Sequence, residues 1–304
     1  MRQKQSPRLQ QYPRQGDTLL ADPSLFPRAK PLSIEIITEA VDRAFLRCKQ
    51  KKSGEEKVQA DTPEKLVELC IEHLRTRSDP ILSSYFVSQC DVDDLFAFDA
   101  VSHEMQRHRM SIGIFYQFLL LELMRRRWNV FDGYHEGDIV ADIDTPGFLK
   151  GLRLFMSVKK SVDTVGGQDV GGVINRLENM AKQEKNLTRP YLCVLCIATP
   201  SGGKLASYEE DRYMRCRKDK SPYSLNCEFW GPGFIFPYTT GRSAKFIYLE
   251  GIKKVSNHMP FLTLEFRKRC SLLLKNRLKN LGLLNASGRI DSGKFLKFSC
   301  REKA

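Results

Sequence analysis

No run of about twenty apolar residues occurs anywhere in the chain, and the N-terminus has no apolar core of signal-peptide length. These absences predict a soluble, cytoplasmic protein with no membrane partner. A metal or disulfide framework is missing too. The nine cysteines are scattered, and the single C-x-x-C, Cys193 to Cys196, lies in the strand-like run YLCVLCIAT, where residues of opposite parity face opposite sides. An odd cysteine count suits a reducing compartment. The histidines His103 and His108 stand near Glu104 at spacings that match no metal motif. Gly166, Gly167, Gly171 and Gly172 precede no Gly-Lys-Ser/Thr and follow no dinucleotide fingerprint, which excludes those nucleotide-binding classes. No internal repeat is present.

Acid is the scarce charge. Across 304 residues, 49 Lys and Arg face 36 Asp and Glu, a formal charge of +13, which favours a polyanionic partner, nucleic acid above all. The length is enough to bury a sizeable core.

The most informative stretch runs from Tyr134 to Glu184 as strand, loop, strand, glycine-rich turn and helix. The first strand is expected over Asp138 to Asp144, and the loop Thr145 to Gly151 carries Pro146, Gly147 and Gly151. The second strand runs from about Leu152 to Lys160. A loop centred near Phe148 and Leu149 sets Asp138 opposite Lys159, Val140 opposite Ser157, Asp142 opposite Phe155 and Asp144 opposite Arg153. Alternation then gathers Asp138, Asp142, Asp144, Arg153, Ser157 and Lys159 on one face, leaving Ile139, Ala141, Ile143, Leu154, Met156 and Val158 as a core face. A slip of one residue would exchange Lys159 for Lys160. A carboxylate facing a lysine, with a further acid nearby, suits a hard cation such as Mg²⁺. That cation activates a water and stabilises charge developing on a phosphodiester, while the ammonium orients the nucleophile or neutralises the phosphate.

Gly137-Asp138, followed by apolar residues and then by Ser157-Val158-Lys159, resembles the PD-(D/E)xK nuclease superfamily, particularly its type II restriction endonucleases. The resemblance extends from the helix around Glu122 to the strand around Cys196. Gly137 stands where the motif often has proline, and Ser157 where the second acid is usual. Members with Ser-x-Lys take the missing carboxylate from the following helix, where Glu178, Glu184 and Asp169 are candidates. Glu178 is the first choice because it falls well inside a helix begun near Val170. The resemblance implies an α/β fold with a central mixed sheet, a catalytic antiparallel hairpin flanked by helices, and a helical N-terminal portion. It implies Mg²⁺ as cofactor and a specific double-stranded DNA site as substrate. It further implies Asp138 and Glu178 as metal ligands, Lys159 positioning the attacking water, Ser157 supporting the arrangement, and a homodimer matched to a palindromic site. Two rivals keep the same residues: a non-specific or structure-specific repair nuclease, and a basic DNA-binding protein in which Ser157 marks a lost acid.

Residues 1–31, rich in Gln, Arg and Pro, predict an arm without a stable fold of its own. Residues 32–110 predict a helical portion, with helices from Ser33 to about Lys51 and from Thr62, an N-cap followed by Pro63, and an acidic helix start at Asp91. Residues 111–304 predict the nuclease core. Its first helix, about Ser111 to Arg127, carries Glu122 either as an acid near the metal or as a surface partner of Arg125 or Arg126. The glycine-rich turn fits a mobile loop against the DNA backbone, with Gln168 reading a base edge, preferably adenine, as the alternative. Beyond the Tyr191 strand, Arg212, Arg215, Arg217, Lys218 and Lys220, interleaved with Tyr208, Tyr213 and Tyr223, are the expected DNA-recognition residues, against the alternative of a solvated loop. The segment CEFWGPGFIFPYTTGR reads as irregular strand and turn, Phe246 to Glu250 as a short strand, and Pro260 to about Asn280 as a helix that meets either a dimer partner or the DNA backbone.

Overall fold

The computed structural model describes residues 14–15, 18–20, 28–53, 62–75, 87–96, 114–131, 138–144, 149–159, 170–184, 188–200, 212–215, 217, 221–259 and 263–299. Two compact units result. One joins Met1–Cys48 to Ile112–Lys253, the other Lys49–Ser111 to Lys254–Ala304. Within the second unit the helices Leu264–Asn280 and Ser292–Ser299 pack with Pro63–Arg75 and Val92–Phe96.

The first unit is α/β. Arg14–Gln15 (β1), Thr18–Leu20 (β2), Asn129–Phe131 (β3), Asp138–Asp142 (β4), Arg153–Lys159 (β5), Tyr191–Ile197 (β6), Arg212–Arg215 (β7) and Cys227–Trp230 (β8) form one sheet in the order β1-β2-β7-β8-β6-β5-β4-β3. β5, β6 and β8 run parallel, and the remaining neighbours are antiparallel, so the sheet is mixed as expected. Arg14–Gln15 and Thr18–Leu20, read from sequence as part of an unfolded arm, instead extend the sheet edge through β7.

The helices Ile34–Ser53 (α1, its residues to Cys48 in this unit), 114–124, Val170–Gln183, Pro232–Thr240 and Ala244–His258 (to Lys253 here) complete the unit. In Val170–Gln183 the apolar residues recur at three- and four-residue spacing, and Val173, Ile174, Leu177 and Ala181 lie against Val140, Phe155, Cys193, Leu195 and Phe229 of the sheet. Each large side chain so buried contributes roughly 1.5–3 kcal/mol. On the opposite face alternation places Leu154, Met156, Val158, Leu192, Val194 and Cys196, all buried. A strand covered on both faces is why Tyr191–Ile197 reads as an unbroken apolar run.

Two stretches differ from their sequence reading. CEFW is a regular strand, and the Gly-Pro-Gly that follows opens a helix: Gly231 is its N-cap and Pro232 its first residue, where the missing N–H costs nothing. Phe246 to Glu250 lies inside Ala244–His258, and the buried positions Ala244, Ile247 and Glu250 recur at helical spacing.

Gly241 ends the helix Pro232–Thr240 at φ 70°, and the chain 29–32 passes across it: Ala29 N–H donates to Pro237 O at 3.2 Å and Leu32 N–H to Thr240 O at 2.8 Å. A Cβ on Gly241 would lie 2.4 Å from Ala29 O and 2.6 Å from Pro31 N. Gly241→Ala is therefore expected to cost well over the ~1–2 kcal/mol of the left-handed backbone alone. Gly151→Ala, at φ 84° with nothing within 4 Å, should cost only that strain. Urea denaturation of the two variants measures the difference.

The second unit is helical: Pro63–Arg75 (α2), Val92–Phe96 (α3), Leu264–Asn280 (α8) and Ser292–Ser299 (α9), with α4 to α7 denoting the helices between them in chain order. Leu66, Cys70, Leu74, Leu95, Phe96, Cys270, Leu274, Leu278 and Phe295 share its core. The expected starts hold: Lys65 N–H donates to Thr62 Oγ1 at 3.3 Å, and Asp94 N–H to Asp91 Oδ1 at 2.8 Å.

Candidate active site

The hairpin β4–β5 forms where the sequence placed it, but in a register two residues away. Asp138 pairs with Ser157, Val140 with Phe155 and Asp142 with Arg153. The cause is the turn that closes the loop on its β5 side. Gly151 takes φ 84°, Leu152 N–H donates to Leu149 O at 3.2 Å, and Ile143 is bonded to both Gly151 and Leu152 at 2.9 Å. The loop is thus centred earlier than Phe148 and Leu149. A slip of two residues leaves every side chain on its predicted face, so the polar face survives while the cross-strand pairs change.

Asp138 and Lys159 are therefore not directly opposed. Asp138 faces Ser157, and Lys159 is the next residue along β5 on that face. All three lie at the sheet edge where β5 ends. Parallel β6 follows β5 through α5 (Val170–Gln183), and the carboxyl ends of such parallel strands are where α/β sheets receive ligands. Ser157 is 1% exposed, and Arg176 of α5 donates from Nη2 to its Oγ at 3.2 Å. Arg176 brings a cation over the serine that occupies the usual acid position, and it was missed from sequence. Its signal is a basic residue on the flank of the amphipathic helix after the hairpin, and only the helix-to-strand packing shows which strand that flank meets. Among the described residues no carboxylate pairs with Lys159.

The other acids of the hairpin face are engaged elsewhere. Asp142 accepts from Arg153 Nε at 2.8 Å and Nη2 at 3.1 Å, and Arg189 Nη1 lies 3.4 Å away. Arg153 also pairs with Glu184 and leans on the Phe131 ring, 4.5 Å from its centroid. The bond to Asp142 leads the effects that hold the Arg153 guanidinium above its usual value. This network ties the base of the hairpin to the end of α5, away from Asp138, and Asp144 lies exposed beyond β4.

Glu178 is turned to Ser224 and not to Ser157. It accepts a hydrogen bond from Ser224 Oγ and sits by Cys227, whose thiol is pushed well above its usual value by burial and, to a lesser degree, by neighbours that include Glu178. Two residues on from Arg176, it projects from the opposite flank of α5. Ser157 on β5 and Cys227 on β8 are two strand spacings apart, about 10 Å. Glu178→Gln keeps an acceptor for Ser224 Oγ and removes only the charge, so it is expected to change any Mg²⁺-dependent cleavage less than about tenfold. A loss as deep as that from Asp138→Ala would show that the carboxylate leaves Ser224 for the metal. Among the described residues no three His, Cys, Asp or Glu converge as a metal site. Asp169 lies outside the described residues.

Glu122 is buried by arginines: Arg47 Nη2 lies at 2.9 Å, Arg125 Nη1 at 3.3 Å and Arg43 Nη1 at 3.7 Å. Of its two sequence readings, the pairing with Arg125 is the observed one, while Arg126 turns to Glu39 at 2.7 Å.

The basic segment divides. Arg212 is 1% exposed, donating from Nε to Glu228 Oε2 at 2.8 Å and from Nη2 to Oε1 at 2.6 Å, with Trp230 Nε1 on the same carboxylate at 2.9 Å. It is a sheet-stabilising residue, not a surface contact. Arg215 and Arg217 lean on rings: the first lies 5.9 Å from Phe229, itself stacked on Tyr213, and the second 5.5 Å from Tyr223. Among the described residues no carboxylate pairs with either, and a guanidinium on an aromatic support suits contact with nucleic acid. Tyr223 lies against the first turn of α5, where a Cβ on Gly171 would sit 3.9 Å from its ring. The helix carrying Arg176 thus also seats this segment. Gln168, Lys218 and Lys220 lie outside the described residues.

Comparison with known proteins finds no family model that matches the chain and no match among the curated proteins.

Proposed function

We propose that the chain is a type II restriction endonuclease, hydrolysing phosphodiester bonds in both strands of a specific double-stranded DNA site with Mg²⁺, as a cytoplasmic homodimer. The observation that carries this reading is the hairpin: Asp138 directly across from Ser157, with Lys159 next on the same face, at the edge where β5 hands over through α5 to parallel β6. A mixed sheet with the residues of the Gly137-Asp138 and Ser157-Val158-Lys159 motif brought together on one hairpin supports the reading that the motif's resemblance implies.

When bound, Mg²⁺ supplies charge stabilisation for the phosphate and lowers the pKa of a water. Asp138 offers it a hard oxygen ligand. Lys159 holds the attacking water or a phosphate oxygen, and Arg176 adds positive charge beside Ser157. Arg215 and Arg217 hold the duplex, and a two-fold dimer sets one hairpin on each strand of a palindromic site.

Digestion of unmethylated phage DNA with Mg²⁺, and in parallel with EDTA, tests the reading. Discrete fragments with Mg²⁺ alone are expected. A Mg²⁺-dependent smear would point to a repair-type nuclease without tight sequence preference. A serine at the usual acid position is what favours a non-catalytic DNA-binding protein, and intact DNA with retained binding would establish it.

A further inference from the structure

Helix α8 has an unusual charge distribution. Between Glu265 and Asp291 the sequence holds seven Lys and Arg and no acid. Glu265 itself stands in the first turn, where it suits the helix dipole. One side of α8 buries Cys270, Leu274 and Leu278. A flank next to that side is neutralised by α2: Arg269 pairs with Glu64 at 3.1 Å and Arg277 with Glu68 at 3.3 Å. The side turned away from the core carries Lys268, Lys275 and Lys279, all exposed, at spacings of seven and four residues that align them on one stripe. No described carboxylate pairs with any of the three. From Lys268 to Lys279 is eleven residue steps, about 16 Å of helix axis.

An ordinary solvated helix face mixes charges and pairs them at four-residue spacing. Here Glu64 and Glu68 of α2 go to Arg269 and Arg277, and no described acid pairs with the lysine stripe. We infer that this stripe is a docking face for the phosphate backbone of nucleic acid, additional to the hairpin and to the Arg215–Arg217 segment; the inference rests on the reading of the chain as DNA-binding. Lysine ammoniums act as point charges, suited to phosphates and not to base edges, so the contact adds affinity without sequence preference. The apolar content argues against the other occupants. Leu264 and Leu272, 61% and 62% exposed, are the only large apolar residues on the stripe and lie two turns apart, too little for insertion into a membrane surface or for the dry centre of a protein interface.

The test is binding of a short duplex of arbitrary sequence, in EDTA so that no cleavage occurs, across a series of salt concentrations. The full chain is compared with Lys268→Gln/Lys275→Gln/Lys279→Gln and with a control of equal charge change at exposed lysines elsewhere, Lys65→Gln/Lys150→Gln/Lys245→Gln. Circular dichroism confirms that each is folded. The stripe variant is expected to bind more weakly and to show a slope of log affinity against log salt smaller by about 3, about 1 per lysine, while the control changes it less. An unchanged slope in the stripe variant, with normal wild-type binding, overturns the inference and leaves the DNA reading standing. No duplex binding by the wild type overturns both. Loss of binding to phosphatidylserine vesicles with an unchanged duplex slope would reassign the face to a membrane surface and overturn it as well.

Discussion

Alanine in place of Asp138 or of Lys159 is expected to lower Mg²⁺-dependent DNA cleavage by about 10²–10³-fold each while leaving duplex binding and the fold intact. Both positions sit at the open end of the hairpin, and Lys159, half-buried, carries no ion pair among the described residues. The face-determining apolar residues, Val140 and Phe155 on one side and Ile139, Leu154 and Met156 on the other, are untouched. Two groups acting on one reaction centre are strongly non-additive, so the double variant should be little worse than either single one. Cleavage assays with parallel gel-shift and melting measurements separate the possibilities. Loss of cleavage together with loss of folding would move both residues from the site to the scaffold. Retained cleavage in either variant would remove that residue from the chemistry.

The largest stability effect is expected at the opposite end of the sheet. Arg212→Leu should destabilise the folded chain by about 3–5 kcal/mol, because it leaves Glu228 charged, buried and without its bidentate partner. Glu228→Leu strands the guanidinium in the same way. Arg212→Leu/Glu228→Leu should cost much less than the two singles together, since burying two apolar groups is cheaper than burying one unpaired charge. Some loss remains, because Trp230 Nε1 gives up its acceptor, at about 1–3 kcal/mol. Urea midpoints for the three variants measure this cycle. A native-like midpoint for Arg212→Leu with weakened DNA binding would instead return Arg212 to the recognition surface.

Periodicity carried the reading furthest where local pattern and burial agree. Alternation through Asp138–Asp142 and Arg153–Lys159 marked the hairpin, the apolar run marked the central strand, and the glycine-rich turn marked the start, near Val170, of the helix that covers it. Parity also assigned Asp138, Ser157 and Lys159 correctly to one face. What escaped was set by features that alternation does not encode. The register depended on one left-handed glycine, Gly151, at the end of the loop. Phe246 to Glu250 looked like a strand because its inward positions include a glutamate, Glu250, which hides the helical spacing. Arg212 looked like a surface cation because the carboxylate that buries it, Glu228, is sixteen residues away. Arg176 and Glu178, two residues apart on α5, diverge to different strands, a separation fixed by tertiary packing alone. The joining of Lys254–Ala304 to Lys49–Ser111 is likewise a long-range pairing with no local trace.

Sequencing the ends of fragments produced from unmethylated phage DNA by the wild-type chain with Mg²⁺, with Asp138→Ala as the control, tests the central claim most directly. The account predicts that the ends fall at every occurrence of one short site, cut at a fixed position in both strands, and that the Asp138→Ala sample has none of them. Ends scattered without a common site, or the same ends in the Asp138→Ala sample, would contradict it.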